Sequence, residues 1–277
     1  MSRNKQLGWI NHQWGSLNEL MLPINDRGLN FSDGIFETIL IWEGKARLLK
    51  EHLNRWEKSA KDLGMASPPK EEWLNPLIEE AIARCELEEM MGSIRLNWSR
   101  GNNKNRGIKI TNEEYEKSNH RFWLEINEIQ NCFDPISTMI SCYEKRNANS
   151  RINQYKTFAY GQSIQAQIEA KKHGFDDALL ENTTGEICSG TTANLIIKRN
   201  GQLLTPHKRS GCLPGIIRQK SLDLGITQEA SLSSIPKAND EWLLINSLSC
   251  RPIYTVNDIP LKKFVGAKDL WLSIYQI

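Results

Sequence analysis

The sequence predicts an α+β protein of two domains, because helical and strand-like patterns mix in both halves of the chain. A length of 277 residues suits two domains of ordinary size, each with its own core. Phe36 to Trp42 leans towards β structure, whereas residues 46–63 carry apolar side chains at helical spacing. Residues 128–135, ending at Pro135, are the most plausible linker. We therefore expect a first domain over 1–128 and a second over 129–277.

The helix of the first half is predicted from one apolar face that ends at Gly64. That face contains Leu49, Leu53, Trp56, Ala60 and Leu63. A second helix is expected from Glu71 to Glu88, after Pro68-Pro69, and strands are expected at Ser93 to Trp98 and Arg121 to Ile126. The pattern therefore predicts a small sheet with two helices.

The second half begins with a strand-like run, Met139 to Tyr143, and a helix from about Tyr160 to Lys172. Gly174 follows that helix where a C-terminal cap is expected. Asn200-Gly201 separates two apolar runs, which is a strong hairpin pattern. A further helix is expected after Gly215, so this half also mixes both element types.

Charge and composition exclude several classes of function. The chain has 35 basic and 33 acidic side chains, a net charge of +2 that gives no reason to expect nucleic acid or an anionic membrane as a partner. No apolar run approaches the roughly 20 residues of a membrane span, and the start does not resemble a secretory signal. The cysteines lie far apart, without a C-x-x-C pair, which favours free thiols in a reducing cytoplasm. They are Cys85, Cys132, Cys142, Cys188, Cys212 and Cys250.

Four parts of the chain could carry chemistry, beginning with Lys156 and the turn from Gly211 to Arg218. Lys156 lies among apolar and aromatic neighbours before a helix, and a desolvated lysine there can form a Schiff base. Its alternative is an ordinary surface lysine. The turn from Gly211 to Arg218 opens a helix whose free N–H groups suit a phosphate, although such turns are also common as structure alone.

Arg55 lies on the first helix but off its apolar face, near His52, and an arginine there could bind a phosphate or simply be solvated. Ser189 to Asn194 is a run of small polar residues that could line a site or make a turn. The histidines have no ligand-like spacing, and no pattern supports a metal site.

Taken in order, these segments resemble the class IV aminotransferases, the fold-type IV pyridoxal-phosphate enzymes with a D-amino acid aminotransferase-like architecture. The resemblance covers nearly the whole chain. The motifs that carry it are Phe31 to Thr38, His52-Leu-x-Arg55, the segment around Lys156 and Tyr160, Gly185 to Leu195, and Leu213-x-Gly215-Ile-x-Arg218.

The resemblance implies pyridoxal 5'-phosphate as cofactor and a role for each matching residue. Lys156 would form the Schiff base and move the proton. Arg55 and the backbone N–H groups of Ile216 and Ile217 would bind the phosphate. Ser247, in Asn246-Ser-Leu-Ser249, stands where the family has another phosphate-contacting hydroxyl.

Ser189 is a departure from the family, which usually has Glu at this position to keep the pyridine nitrogen protonated. A serine hydroxyl cannot supply that negative charge, so the electron sink should be weaker. Transamination should suffer more than an elimination that forms an aromatic product.

Within the family, the compact chain and Gly215-Ile-Ile-Arg-Gln219 most resemble the aminodeoxychorismate lyases. These enzymes convert 4-amino-4-deoxychorismate to 4-aminobenzoate and pyruvate in folate biosynthesis. Arg106 resembles their substrate-side arginine, although a solvated loop arginine is the alternative. The other readings are a branched-chain or D-amino acid aminotransferase and a cofactor-binding protein with decayed activity. The family further implies a homodimer with a small-molecule substrate.

Overall fold

The computed structural model describes residues 6–110, 117–130 and 133–277, and the chain divides into two compact units. They are Met1–Gln130 with Lys156–Ala159, and Asn131–Tyr155 with Tyr160–Ile277. The boundary at Gln130 falls in the expected linker, of which residues 131 and 132, including Cys132, lie outside the described part. The division differs from the expected one in that Lys156 belongs to the first unit.

The first unit contains an antiparallel sheet and three α-helices in its described part. The strands are β1 (Gln6–Ile10), β2 (Gln13–Gly15), β3 (Gly34–Trp42), β4 (Lys45–Ala46), β5 (Gly92–Ser99) and β6 (Arg121–Glu128). The helices are α1 (Arg27–Phe31), α2 (Leu49–Asp62) and α3 (Glu71–Arg84). The strand order is β2-β1-β6-β5-β3-β4.

Alternate residues of the strands build the core of this unit. Ile35, Ile39 and Ile41 of β3 face the same core as Trp56 of α2 and Leu74 of α3. Because side chains alternate along a strand, Phe36 lies on the opposite face of the sheet from Ile35. Helices α2 and α3 thus cover the face that carries Ile35, Ile39 and Ile41, and Phe36 lies on the opposite face.

The lysine segment joins the first unit by backbone hydrogen bonds to β3. The N–H of Phe36 donates to the Lys156 carbonyl at 2.9 Å, and the N–H of Phe158 donates to the Gly34 carbonyl at 3.0 Å. These bonds explain why Lys156 groups with the first unit, although its neighbours in sequence belong to the second. A three-residue pairing of this kind leaves no pattern in the sequence.

The second unit contains a mixed sheet and three α-helices in its described part. The strands are β7 (Ile136–Ile140), β8 (Asp177–Glu181), β9 (Ile187–Gly190), β10 (Asn194–Arg199), β11 (Gln202–Pro206), β12 (Gln228–Ala230), β13 (Glu241–Ile245), β14 (Cys250–Val256) and β15 (Ile259–Pro260). The helices are α4 (Gly161–Lys172), α5 (Ile216–Asp223) and α6 (Ala267–Tyr275). The order is β12-β11-β10-β13-β14-β7-β8-β9, and β9 also pairs with β10, which closes the sheet on itself.

Several predicted elements are confirmed, with shifted ends. Strands β10 and β11 form the expected hairpin, with positive φ angles at Asn200 and Gly201. Helix α3 stops at Arg84 rather than Glu88, because Glu86 adopts a φ of 51°. Strand β7 covers Ile136–Ile140 instead of the expected Met139 to Tyr143, because Glu169 of α4 accepts hydrogen bonds from Ser141 Oγ and Cys142 N.

None of the helices in the described ranges is long and apolar enough to cross a membrane.

Candidate active site

Lys156 lies on the face of the first sheet that carries Phe36, opposite to helices α2 and α3. Its Nζ is 4.3 Å from the centroid of the Phe36 ring, a cation–π distance. Phe158, two residues further on, packs against Trp123 of β6 with ring centroids 5.5 Å apart. Gly34 permits this approach, because a Cβ at that position would lie 2.1 Å from the Phe158 ring. The lysine segment is therefore fixed both by backbone bonds and by aromatic packing.

Arg95 shares the Phe36 ring with Lys156. Its guanidinium carbon is 3.6 Å from the ring centroid, and its Nε donates to Asn97 Oδ1 at 2.8 Å. Arg95 was not among the site residues predicted from the sequence. The sequence feature that could have indicated Arg95 is its charge in the middle of an apolar stretch, between Ile94 and Leu96.

Arg55 and Glu37 form a buried ion pair on the helix-covered side of β3. Arg55 Nε donates to Glu37 Oε1 at 2.8 Å, and Arg55 Nη2 lies 2.5 Å from Glu37 Oε2. His52 Nδ1 lies 2.6 Å from the same Oε2. The Arg55 side chain is 13% exposed and that of Glu37 is 1% exposed. Arg55 was expected to be a phosphate ligand, and its guanidinium is oriented by the Glu37 carboxylate, which was not among the predicted site residues.

Burial and the interactions among Glu37, His52 and Arg55 determine the charges of these side chains. Burial alone would raise the pKa of Glu37, but the charge of Arg55 and the hydrogen bonds from His52 and Arg55 lower that pKa to about 2. Burial lowers the pKa of His52, against the opposing effect of Glu37. The neighbouring charges of Arg55 and Lys156 lower the His52 pKa further. At neutral pH the group therefore contains an ionised glutamate, a neutral histidine and a charged arginine.

In the second unit, Ser189 lies in a row of uncharged residues that crosses the sheet. Strand pairing aligns Leu180, Ser189, Asn194, Ile245 and Cys250. Ser189 is 5% exposed. None of these five residues carries a carboxylate, so the row offers no replacement for the glutamate that the family usually has at position 189.

The turn before α5 is fixed by Asn194. Asn194 Nδ2 donates to the Leu213 carbonyl at 2.9 Å, and a Cβ on Gly215 would lie 2.0 Å from Asn194 Oδ1. The first N–H groups of a helix have no acceptor within the helix, and here they belong to Ile216 and Ile217. Asn194 thus connects the row that contains Ser189 to the helix start that was expected to bind phosphate.

Ser247 belongs to a turn that follows the same row. Asn246 Oδ1 accepts hydrogen bonds from the N–H groups of Leu248 and Ser249, at 2.8 and 2.9 Å. Helix α6 supports the turn, because Tyr275 donates its hydroxyl to the Ser247 carbonyl at 2.7 Å. The second unit therefore brings Ser189, Ile216, Ile217 and Ser247 to one end of its sheet.

Arg106 is exposed on the loop that follows β5. Arg27 anchors this loop by donating to Asn103 Oδ1 at 3.2 Å and to the carbonyls of Ile108 and Lys109. The structure fixes the loop beside Arg106 but does not place the Arg106 guanidinium against Lys156 or Arg55.

These residues fit a phosphate-bearing aldehyde cofactor. Within the first unit, a lysine on an aromatic ring and an oriented arginine suit an aldehyde and a phosphate. Within the second unit, the helix start after Gly215 has free N–H groups that suit a phosphate. In the described ranges, no group of three or more His, Cys, Asp or Glu side chains could hold a metal ion.

Comparison with known proteins gives relatives of two kinds. "Branched-chain-amino-acid aminotransferase-like protein 2" of Arabidopsis thaliana is 24% identical over 86% of this chain, which spans only 44% of that relative. "Putative branched-chain-amino-acid aminotransferase" of Methanocaldococcus jannaschii is 27% identical, covering 90% of this chain and 87% of the relative. "Putative aminodeoxychorismate lyase" of Schizosaccharomyces pombe is 29% identical, covering 85% and 95%.

Solved structures show the same fold. A "Putative 4-amino-4-deoxychorismate lyase" from Legionella pneumophila has a TM-score of 0.81 at 24% identity, covering 93% of this chain and 95% of its own. A hypothetical aminotransferase from Mycobacterium tuberculosis in its PLP-bound form has a TM-score of 0.80 at 18% identity, covering 98% and 97%. These likenesses confirm the predicted α+β, fold-type IV architecture.

The family model for amino-transferase class IV matches residues 34–256, which is most of the chain. The match includes Lys156, Arg55 and the turn before α5. The chain therefore belongs to the class IV aminotransferase family, with pyridoxal 5'-phosphate as its cofactor.

Proposed function

We propose that this protein is a lyase that converts 4-amino-4-deoxychorismate to 4-aminobenzoate and pyruvate in folate biosynthesis. The observation that carries the proposal is the uncharged row across the second sheet, in which Ser189 replaces the usual glutamate. A hydroxyl leaves the cofactor's ring nitrogen without a counter-charge. This weakens electron withdrawal, on which transamination depends more than an elimination with an aromatic product.

Lys156 is the proposed proton carrier. The cofactor supplies electron withdrawal from the substrate's amine-bearing carbon when it is bound. Lys156 removes the proton from that ring carbon, and the enolpyruvate group leaves from the neighbouring carbon as the ring becomes aromatic. Lys156 then returns a proton to the enol, which gives pyruvate. The atoms balance without an oxidant or a second substrate.

Arg95 is the proposed partner of a substrate carboxylate. The substrate carries two carboxylates, and Arg95 is the cation that shares the Phe36 ring with Lys156. A guanidinium can bind a carboxylate through two parallel hydrogen bonds. Arg106, on its exposed loop, is proposed as the contact for the second carboxylate.

The cofactor contacts are proposed from the matching residues of the family. Arg55 would bind the phosphate with its oriented guanidinium, and the N–H groups of Ile216 and Ile217 would donate to phosphate oxygens. The Ser247 hydroxyl would be a further phosphate donor, and Ser189 would face the ring nitrogen.

An aminotransferase for branched-chain or D-amino acids is the second candidate. It is favoured by relatives such as the Methanocaldococcus jannaschii protein, whose printed name is that of a branched-chain aminotransferase. The Schizosaccharomyces pombe relative favours the lyase and is matched over 95% of its length. Both reactions use the same lysine and cofactor, so the substrate decides between them.

The test is a direct comparison of the two reactions. Cofactor-loaded protein is given freshly generated 4-amino-4-deoxychorismate, and 4-aminobenzoate is followed by its fluorescence. Branched-chain and D-amino acids with 2-oxoglutarate are assayed in parallel, with Lys156→Ala as the blank. The lyase proposal predicts 4-aminobenzoate formation that requires Lys156. Transamination alone would favour the second candidate over the lyase, and the absence of both reactions would overturn the lyase proposal and favour a cofactor-binding protein with decayed activity.

A homodimer is also proposed. Exposed apolar side chains cluster in sequence before and within α1, where Met21 and Ile24 are 79% and 87% exposed and Leu29 is 61% exposed. Such side chains on a soluble domain mark a surface for association. Sedimentation of Ile24→Asp, with the exposed Ile235→Asp as control, tests this. The proposal predicts that only Ile24→Asp lowers the mass to that of one chain.

A cytoplasmic location belongs to the same proposal. The described cysteines, Cys85, Cys142, Cys188, Cys212 and Cys250, are free thiols. Free thiols are the usual state in a reducing compartment. Fractionation of the native host's cells, with detection of the protein in each fraction, tests the location.

A further inference from the structure

We infer that Glu37 is a positioning residue for the cofactor phosphate, acting through Arg55. The inference rests on the role of Arg55 that is part of the proposed function. Glu37 itself does not touch the ligand in this account. Its buried carboxylate fixes the plane of the guanidinium that does.

Arg55 and Glu37 make two contacts side by side, and this bidentate geometry supports the positioning role. Both oxygens of Glu37 take part, with Arg55 Nε at 2.8 Å from Oε1 and Arg55 Nη2 at 2.5 Å from Oε2. Two parallel contacts of this kind determine the orientation of a guanidinium as well as its distance. His52 Nδ1, at 2.6 Å from Oε2, holds the carboxylate from a second direction.

The surroundings keep this arrangement in place before any ligand binds. Glu37 is 1% exposed and lies in β3, which is paired with β5 along its length. Helix α2 carries both His52 and Arg55, three residues apart, so they lie on one face of the helix. A side chain that is already oriented loses less conformational freedom on binding, which favours the bound state.

Glu37 is also the direct neighbour in sequence of Phe36, which holds the lysine segment. Its neighbour Phe36 is on the other face of the sheet, where its ring contacts Lys156 and its N–H bonds to the Lys156 carbonyl. One dipeptide of β3 thus fixes the lysine on one face and the arginine on the other. A shift of Glu37 along the strand would disturb both groups.

The decisive variant is Glu37→Asp. Its side chain keeps the negative charge but is one methylene group shorter, which moves the carboxylate away from Arg55. Apo-protein is titrated with pyridoxal 5'-phosphate and with pyridoxal, which lacks the phosphate. The ratio of the two dissociation constants reports the phosphate contribution alone. Arg55→Met gives the ratio without the arginine. Glu241→Asp is the matched control, since Glu241 is also buried and paired with Lys198 and Lys262.

We expect Glu37→Asp to lower the preference for the phosphorylated ligand by about tenfold, the scale of one charge-assisted hydrogen bond. Affinity for pyridoxal and the ratio in Glu241→Asp should stay close to the parent values. If Glu37→Asp keeps the parent ratio while Arg55→Met loses it, Glu37 is no positioning residue. If Arg55→Met also keeps the ratio, the assignment of Arg55 in the proposed function is wrong, and the inference falls with it.

A second readout does not depend on cofactor binding. Phenylglyoxal modifies accessible arginines, and peptide mapping gives the rate at Arg55 in the apo-protein. Glu37→Gln, which keeps the side-chain length, and Glu37→Asp should both accelerate modification of Arg55 relative to that of the exposed Arg84. An unchanged rate at Arg55 in both folded variants would overturn the inference, because it would show that Glu37 does not hold the guanidinium.

Discussion

The guanidinium of Arg95 and the ammonium of Lys156 face the same aromatic ring, at 3.6 and 4.3 Å from the centroid of Phe36. The guanidinium stays positively charged when Lys156 is engaged by the cofactor, so it can bind an anion that enters beside the lysine. The proposed substrate, with two carboxylates, supplies such an anion. The position of Arg95 beside Lys156 on one ring therefore supports the proposal of a substrate that carries carboxylates.

Replacing Arg95 by Met should raise the KM for 4-amino-4-deoxychorismate by roughly 10- to 100-fold, because a charged hydrogen bond to the substrate carboxylate is lost. Arg95→Lys should recover part of the loss. Initial rates of 4-aminobenzoate formation measure both effects. Arg84→Met is the control, since Arg84 also contacts an aromatic ring, that of Trp14, away from the lysine segment. An unchanged KM in Arg95→Met would contradict the proposed contact.

Replacing Ser189 by Glu should increase the transamination half-reaction and should not increase lyase turnover. The new carboxylate would supply the counter-charge that the ring nitrogen lacks. Loss of cofactor absorbance with an amino acid measures the half-reaction, and Ser189→Gln is the control of equal length without charge. A large gain in lyase turnover would show that serine is not tuned for elimination.

Replacing Gly215 by Ala should weaken binding of pyridoxal 5'-phosphate by about tenfold or more and should lower the free energy of unfolding by about 1–3 kcal/mol. The added Cβ would lie 2.0 Å from Asn194 Oδ1, so the Asn194 side chain must shift, and its hydrogen bond to the Leu213 carbonyl in the turn before α5 is disturbed. Titration of apo-protein and denaturant unfolding measure the two effects. Gly161→Ala is the control, because its Cβ would meet nothing within 4 Å. Equal behaviour of the two variants would contradict the account of the helix start.

The stability of the apo-protein should fall as the pH is lowered from about 4.5 to about 2. The folded protein holds the pKa of Glu37 at about 2 instead of 4.5, so the unfolded chain binds more protons in this window. This contribution is roughly 3 kcal/mol at most, and it should disappear in Glu37→Gln. Denaturant unfolding at several pH values measures it. The same pH slope in Glu37→Gln would show that Glu37 does not provide the acid sensitivity.

Much of the fold was predictable, because its elements have local patterns. The apolar face of α2 and the Asn200-Gly201 turn are both present as expected. Glu37 and Arg95 were missed because their importance depends on which face of a strand they occupy, and that is set by strand pairing. The pairing of Lys156 with β3 was missed because three residues carry no periodicity.

The candidate site was predicted in parts. Family motifs indicated Lys156, Arg55 and Ser189 but not the residues that orient them. Asn194 was part of a matched motif, yet its contact with the turn before Gly215 depends on a backbone approach that sequence does not show. Supporting residues of this kind become visible only in three dimensions.

The number of turnovers without a 2-oxo acid distinguishes a lyase from a transaminase. An elimination returns the cofactor to its aldehyde form, so the loaded enzyme with 4-amino-4-deoxychorismate alone should form 4-aminobenzoate and pyruvate in equal amounts and far beyond one equivalent. Lys156→Ala should form neither above the blank. A reaction that stops after one equivalent, with the cofactor left in its amine form and no pyruvate, would contradict the lyase proposal and identify a transaminase.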